Sequence, residues 1–575
     1  MSFIAISLPS LVVILAFPAL LLFFVFRAIH LLFFHPLSTI PGPWYAAVSS
    51  LWITTHVLRL EQCKTIHALF QTYGPVVRIA PNKVVFCDFG AMKSVYSTWK
   101  FDKSDYYKSL LTNENDHAMT TLPHAQHSIR RKAYASHYTP SNLAKLQPEI
   151  NEATGQMIDT LHNLPAHTSL DTLSLFRHLA LDIIVASSYG FRLGAVSKWA
   201  VEAEEGLSVA IGDFPKRGIL RSAVPKWAWN WVCRIPNARF KLLCDSDKIM
   251  AEFVSTRVYE MRAKLHADKI PTPVPAPTIA APTPLPFLSA FPSFSCSPSR
   301  SSSPCPSEDS FITEDGEKSY LLPRLLAYKY PSGETMPENH VISECMGHMV
   351  AGTDTTSISI SYFLWELTRR RDILHKLQSE INAFMPDPSV IPDIKVLNSM
   401  EYLNAFIKEG LRVYGAAPSL LERVVPVSTS KNFACAEGFD LLGYALPPGT
   451  IVATQAWSMH RDPSVFPSPE TFLPERWLPS YAASQEGPCA PAEGETARLA
   501  RMASYMMPFG TGSRICGGLN LAHVIMRVVL VAVLRNFEVE AAPGTDEKSM
   551  DMRDSFVMFP AAMECKLIFH PRVPT

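Results

Sequence analysis

The chain has no net formal charge, since 52 basic side chains are matched by 52 acidic ones. That balance gives no support for nucleic-acid binding. No CxxC pair occurs among its eleven cysteines, which are odd in number and irregularly scattered. This argues against a disulfide framework or a zinc site and suits a reducing compartment. Charge is missing altogether from Phe3 to Phe26, a run long enough to cross a bilayer core. Also missing are the positive start and small-residue cleavage site of a secretory leader. Residues 1–34 are therefore expected to be a retained anchor with its flank, against the competing reading of a cleaved signal. Arg27, with His30 and His35 close by, places positive charge after the span and keeps the following domain cytosolic.

Proline supplies the next feature. "HPLSTIPGPW" over residues 35–44 carries Pro36, Pro41 and Pro43, which stiffen the chain and deny it helix. "YGPVVRIAPNKVVFCD" (Tyr73 to Asp88) has two β-branched runs around Pro81-Asn82-Lys83 and predicts a β-hairpin. Apolar spacings of three and four predict mainly helix from about Ser141 to Leu265. Pro271 to Ser310 is rich in proline and serine without periodicity, and is expected to be disordered or extended. It is read as a tolerated surface insertion, with a functional tail and an intron translated in frame as the alternatives. A smaller polar insertion is expected from Ser480 to about Arg498. Length alone suggests three or four domains; the order of the motifs below points to one, over residues 45–575.

Five stretches carry chemistry. "FGTGSRICGG" (Phe509 to Gly518) sets one arginine and one cysteine among glycines, just before an apolar helical run. Such a loop suits a thiolate ligand to heme iron. Gly512 and Gly518 would let the backbone turn tightly, aiming amide N–H groups at the Cys516 sulfur. The positive end of the following helix would favour the thiolate. "AGTDTT" (Ala351 to Thr356) sits inside a helix predicted over Glu338 to Arg371. Gly352 and three threonines lower helix propensity, and a buried Asp354 is costly. Rule-breaking of this kind marks function. Glu409 and Arg412 in "EGLR" share one face of a helix predicted near Met400 to Tyr414. "FLPERW" (Phe472 to Trp477) contributes Arg476, and "HSIRRK" (His127 to Lys132) a basic helix.

Taken in their order along the chain, from HSIRRK to FGTGSRICGG, the motifs resemble those of the cytochrome P-450 superfamily, of the fungal microsomal type. The heme-binding signature F-x-x-G-x-R-x-C-x-G falls on Phe509, Gly512, Arg514, Cys516 and Gly518. The resemblance implies a mainly α fold with small β-sheets (α+β), one large heme domain behind an N-terminal anchor and the proline-rich hinge. It implies heme b with Cys516 as the axial ligand to iron. Thr355 would position dioxygen and a water, Asp354 would feed protons from solvent, and Ala351 and Gly352 would leave room for oxygen and substrate. Glu409, Arg412 and Arg476 would form a buried network under the cysteine loop. His127, Arg131 and Arg514 would reach the heme propionates, while Arg130 and Lys132 could equally form a solvated basic face.

No flavin or nucleotide-binding domain is visible in the chain. Electrons are therefore expected from NADPH through a separate NADPH-cytochrome P-450 reductase, with cytochrome b5 as a second candidate donor. The expected location is the endoplasmic reticulum membrane, single-pass, with the catalytic domain cytosolic. The expected activity is oxygen insertion into a lipophilic small molecule, in biosynthetic tailoring and with terpenoids in view. Its pocket would draw on Tyr106 to Thr120, Met346 to Gly352, Ala416 to Leu421 and Phe556 to Phe559. Two rivals stand beside it: a reductase-independent rearrangement enzyme of the same superfamily, and a non-catalytic heme-binding membrane protein.

Overall fold

A computed structural model describes residues 8–165, 167–201, 206–267, 320–427, 438–479, 494–554 and 556–572. The expectations for 271–310, and for most of the stretch that begins at Ser480, lie outside these residues. The helices that position the site are α1 (Leu8–Ile29), α2 (Leu51–Leu58), α3 (Gln62–Tyr73), α4 (His124–Tyr134), α5 (Pro140–Asn163), α6 (Thr172–Tyr189), α7 (Gly206–Ala223), α8 (Ala238–Ala267), α9 (Glu338–Arg369), α10 (Glu401–Tyr414), α11 (Glu495–Tyr505) and α12 (Leu519–Asn536).

The axis of the molecule is α9, about 48 Å long at 1.5 Å per residue. Its sequence has no clean polar face, because from Thr356 to Leu367 every side chain is buried. Such a helix must be surrounded, and α6, α7, α8, α10 and α12 pack against it. It ends at Arg369, two residues before the sequence expectation. Arg370 leaves helical geometry at φ −116°, ψ 74°, and Arg371 opens the next helix. Near its middle α9 stays helical by the backbone pattern, and Thr353 and Thr355 each donate a side-chain hydrogen bond to the carbonyl four residues back.

The sheets are small and lie at the margins. β1 (Val76–Ala80) and β2 (Lys83–Phe86) form the expected antiparallel hairpin. Beside it run β3 (Asp102–Lys103), β5 (Arg423–Val424) and β8 (Ile451–Ala453), in the order β1-β2-β8-β5-β3. β4 (Ser169–Asp171), β9 (Phe537–Ala541) and β12 (Lys566–Pro571) make a three-stranded sheet. Two hairpins complete the set: β6 (Phe439–Leu441) with β7 (Tyr444–Leu446), and β10 (Met552–Asp554) with β11 (Met558–Pro560). The architecture is thus mainly α with small β-sheets.

At the N-terminal end, α1 continues into a π-helical turn, His30–Phe34. The stretch Ala16–Phe34 is long and apolar enough to cross a membrane and is almost wholly exposed. α12 passes the same test of length, but most of it is buried in the core. The proline-rich segment 35–43 forms turns, and a short helix begins at Trp44. It is docked on the body: the buried Arg78 guanidinium donates to the Leu31 carbonyl at 2.9 Å and the Leu37 carbonyl at 3.3 Å. The described end of the second polar insertion is ordered as the start of α11, where Arg498 donates to the Arg476 carbonyl at 2.9 Å.

Candidate active site

The cysteine loop is pinned before it reaches the sulfur. Gly510 donates its N–H to the Met507 carbonyl at 3.0 Å, and Cys516 donates its own to the Phe509 carbonyl at 2.8 Å. Gly512 has φ +66°, and a Cβ there would lie 2.2 Å from the Tyr96 carbonyl oxygen. Only glycine fits that position. Gly518 is different from expectation: its φ is −84°, and an added Cβ would only touch the Cys516 sulfur at 3.9 Å. The close approach belongs to Gly517 instead, where a Cβ would come within 2.9 Å of the Tyr134 ring. Cys516 itself is exposed at the loop's face. Surrounding protein pushes its thiol up on balance, and the amides of Gly518 and Leu519 and the Arg131 charge offset that only in part. Those amides open α12, so the sulfur sits at that helix's N-terminus.

Beneath the loop lies a buried ionic network. Glu409 accepts from Arg412 Nε at 2.9 Å and Nη2 at 2.8 Å, Arg476 Nε at 3.0 Å, Trp477 Nε1 at 2.9 Å and the Leu473 amide at 2.9 Å. Burial pushes the Glu409 carboxyl up, but the two guanidiniums outweigh it and hold it below the usual range. Both arginines spend their other N–H groups on backbone carbonyls, those of His460, Pro469 and Thr471 for Arg412. His460, which the sequence did not single out, carries the network to the loop. Its Nδ1 donates to the Arg412 carbonyl at 3.1 Å, and its Nε2 accepts from the Met507 amide at 2.8 Å. Burial lowers its pKa to about 3, so the ring is neutral and this tautomer is held. A lone histidine in "WSMHRD" gives no signal of that role.

On the other side of the loop five cationic or ionisable groups converge. Arg514 donates to the Thr121 and Leu122 carbonyls at 2.9 and 2.6 Å, and its Nε is buried without a partner. Arg131 donates to the Ile515 carbonyl at 2.5 Å. His127 is buried with Nδ1 unpartnered; burial, then Arg514, Lys103 and Arg131, lower its pKa to about 3. Lys103 and Arg423 were not expected. They face each other across the β3–β5 pair, and both are buried. Like charges opposed in this way repel, and burial followed by Arg423 and Arg514 drives Lys103 well below its ordinary pKa. Among the described residues none of the four cations makes a carboxylate ion pair. Unpaired buried charge is costly. The cradle therefore fits a group that brings its own carboxylates, as the two propionates of heme would. Arg130 does not join it, nor does it form a solvated face: it is buried and ion-paired to Glu344 at 3.0 Å. Lys132 is exposed.

The α9 motif divides its residues between two faces. Thr355 is half-buried, and its Oγ1 donates to the Ala351 carbonyl at 2.7 Å. Asp354 points the other way, toward α6. Its Oδ1 accepts from Arg177 Nε at 2.8 Å and its Oδ2 is buried without a partner. Burial works to lower the Arg177 pKa, yet the Asp354 charge more than offsets it and the guanidinium is held above its usual value. Gly352 also faces α6, since a Cβ there would collide with Ile184 at 2.6 Å. Its missing side chain makes room for the Ile184 side chain. Ala351 is exposed. Two pairs of the segments expected to line a pocket touch: the His117 ring lies over Gly347, and Met558 donates to the Ala416 carbonyl at 2.8 Å.

A family model described as Cytochrome P450 matches residues 40–270 and 307–567. The break between the two segments falls within the proline- and serine-rich stretch. Three similar proteins come from fungi. Cytochrome P450 monooxygenase stcB of Emericella nidulans is 26% identical over 536 residues, 92% of this chain and 88% of that protein. Cytochrome P450 monooxygenase mfmF of Annulohypoxylon moriforme is 27% identical over 531 residues, 90% and 92%. Cytochrome P450 monooxygenase aflV of Aspergillus parasiticus is 25% identical over 545 residues, 93% and 92%.

Proposed function

Because this chain belongs to the cytochrome P450 family and is an oxidoreductase of the monooxygenase type, we propose that it inserts one oxygen atom of O2 into a lipophilic small molecule, with electrons from NADPH delivered by a separate reductase. The family implies heme with a cysteine thiolate on iron, which when bound supplies the activation of dioxygen. Cys516 is the ligand in this reading. Arg514, Arg131, His127, Lys103 and Arg423 hold the propionates, and Glu409, Arg412, Arg476 and His460 keep the loop in place. The observation that carries it is the cysteine at a helix N-terminus beside a cradle of cations that lack carboxylates.

Asp354 is the proton carrier and Thr355 the positioning alcohol. The Thr355 hydroxyl already donates to the Ala351 carbonyl, so its lone pairs are left to accept from a water. To hand a proton onward it must give up that bond. Asp354 must swing away from Arg177 to serve the reaction face. This acid–alcohol pair favours the monooxygenase over the rearrangement enzyme and over a heme sensor, neither of which needs a relay. Fungal secondary metabolism is the proposed setting, with terpenoids the substrate class to test first. Residues 1–34 are read as a single-pass anchor to the endoplasmic reticulum, supported by the exposed apolar helix. The deciding experiment is the carbon monoxide spectrum of reduced enzyme. Wild type should give the red-shifted Soret band of thiolate ligation, and Cys516→Ala should lose it. A variant that keeps the band removes the assignment. Turnover with NADPH and reductase separates the monooxygenase from both rivals.

A further inference from the structure

One residue interrupts the burial of α7. From Ala210 to Ile219 every position is buried except Lys216, which is half-buried. A lysine is seldom taken out of bulk water unless a carboxylate meets it. Here Nζ stands 5.6 Å from the centre of the Phe559 ring on β11, a contact that attracts a cation. Phe559 is buried and belongs to a segment that the sequence assigns to the substrate pocket. Its neighbour Met558 bonds a second such segment at Ala416.

The acids near Lys216 are already committed. Asp213, one turn back on α7, lies 3.8 Å from Nζ, beyond hydrogen-bond reach. Both of its oxygens serve Arg239 of α8: Oδ1 accepts from Nη2 at 2.6 Å and Oδ2 accepts from Nη1. Asp354 of α9 is held by Arg177 at 2.8 Å. Arg177 also fixes the position of α7, since a Cβ on Gly212 would lie 3.0 Å from its guanidinium carbon. Each of these carboxylates is therefore bonded to an arginine, and Lys216 has none of its own. Among the described residues its ammonium makes no hydrogen bond, although 32% of the side chain stays accessible. Burial works to lower its pKa; Asp213 and Asp354 oppose that, while Arg177 and Arg239 add to it. An ammonium carries three donors, so this group has capacity and is open to a ligand.

We propose that Lys216 binds a carboxylate on an otherwise lipophilic substrate, anchoring the acid end between α7 and the Phe559 hairpin. A carboxylate there forms a charge-assisted bond with the ammonium. The ester of the same acid keeps the apolar surface and brings no charge. The substrate class is then a lipophilic carboxylic acid. The anion site follows from the position of the ammonium; that its occupant is the substrate rests on the monooxygenase reading above.

The test uses reduced, carbon monoxide-bound holoenzyme, so that a carboxylate cannot ligate iron, with 4-phenylbutanoate and its methyl ester as probes in equilibrium dialysis at neutral pH. A pocket without a cation prefers the ester, because the ionised acid must leave water unpaired. Wild type should instead bind the acid at least as tightly as the ester. Lys216→Met keeps an unbranched apolar side chain and removes the charge. It should weaken the acid roughly tenfold, the scale of one bond to a charged group, and leave the ester within about twofold. Three results overturn the proposal: wild type binding the acid more weakly than the ester, acid binding by Lys216→Met within about threefold of wild type, or an equal loss of both probes, which would make the effect one of shape. The wild-type comparison stands even if the variant does not fold. Absence of the thiolate band would instead overturn the enzymatic reading and leave the dialysis result standing.

Discussion

Replacing Glu409 with glutamine tests the network under the cysteine loop most directly. The carboxylate is fully buried and takes five hydrogen bonds, three on Oε1 and two on Oε2. Whichever way the new amide turns, its NH2 group must face at least two donors. Two buried guanidiniums also lose their shared counter-charge. Breaking a buried pair by removing one partner costs about 3–5 kcal/mol, so the fraction unfolded should rise by roughly a hundredfold or more. Urea denaturation of the heme-loaded protein, read by far-UV circular dichroism and by the carbon monoxide band, measures this. The exposed Arg370–Asp372 pair is the control: Asp372→Asn should cost less than about 1 kcal/mol. The same logic predicts a pH dependence. Because the folded-state pKa of Glu409 lies below its unfolded value, its contribution is complete above the ordinary carboxylate range. It is lost as pH falls from there through the depressed folded value. Glu409→Gln should flatten that acid limb. A loss under about 1 kcal/mol, or an unchanged acid limb, would show that the network does not carry the stability assigned to it.

Thr355→Ala should leave the carbon monoxide band and stability nearly intact, since the lost bond is a local one to the Ala351 carbonyl. NADPH should still be consumed while product falls and peroxide accumulates; wild-type coupling would place the relay elsewhere. Removing residues 1–27 should release the protein from membranes with its melting temperature unchanged. Extending the cut to residue 37 strips Arg78 of two carbonyl acceptors and should cost roughly 1–3 kcal/mol. Equal stability of the two truncations would mean that the segment beyond the apolar helix is not part of the folded body.

Local chemistry made several elements legible in the sequence. Two β-branched runs around Pro81-Asn82-Lys83 wrote the hairpin, and the helices predicted over Glu338 to Arg371 and near Met400 to Tyr414 match α9 and α10 to within two residues. The spacing of Glu409 and Arg412 put them together, because an i, i+3 pair on one helix face is a local fact; Arg476 joined them only through the family resemblance. Gly512 was legible for the same reason, since a tight turn is a property of a few residues.

Contacts between distant segments were not legible. Lys103 and Arg423 are 320 residues apart and become a like-charged pair only through β3–β5 register. His460 joins the ionic network to the loop through two backbone groups, Arg412 O and Met507 N, which no side-chain pattern records. The sequence could say that Asp354 and Gly352 were unusual and that Arg130 belonged to a basic helix, not which way they face. Packing against α6 turns Asp354 to Arg177 and fills the space at Gly352 with Ile184, and a buried Glu344 draws Arg130 inward. Local geometry and the residue types ready for chemistry could thus be read along the chain. Their partners were set by packing, because burial, not sequence distance, dictates which charges must find one another.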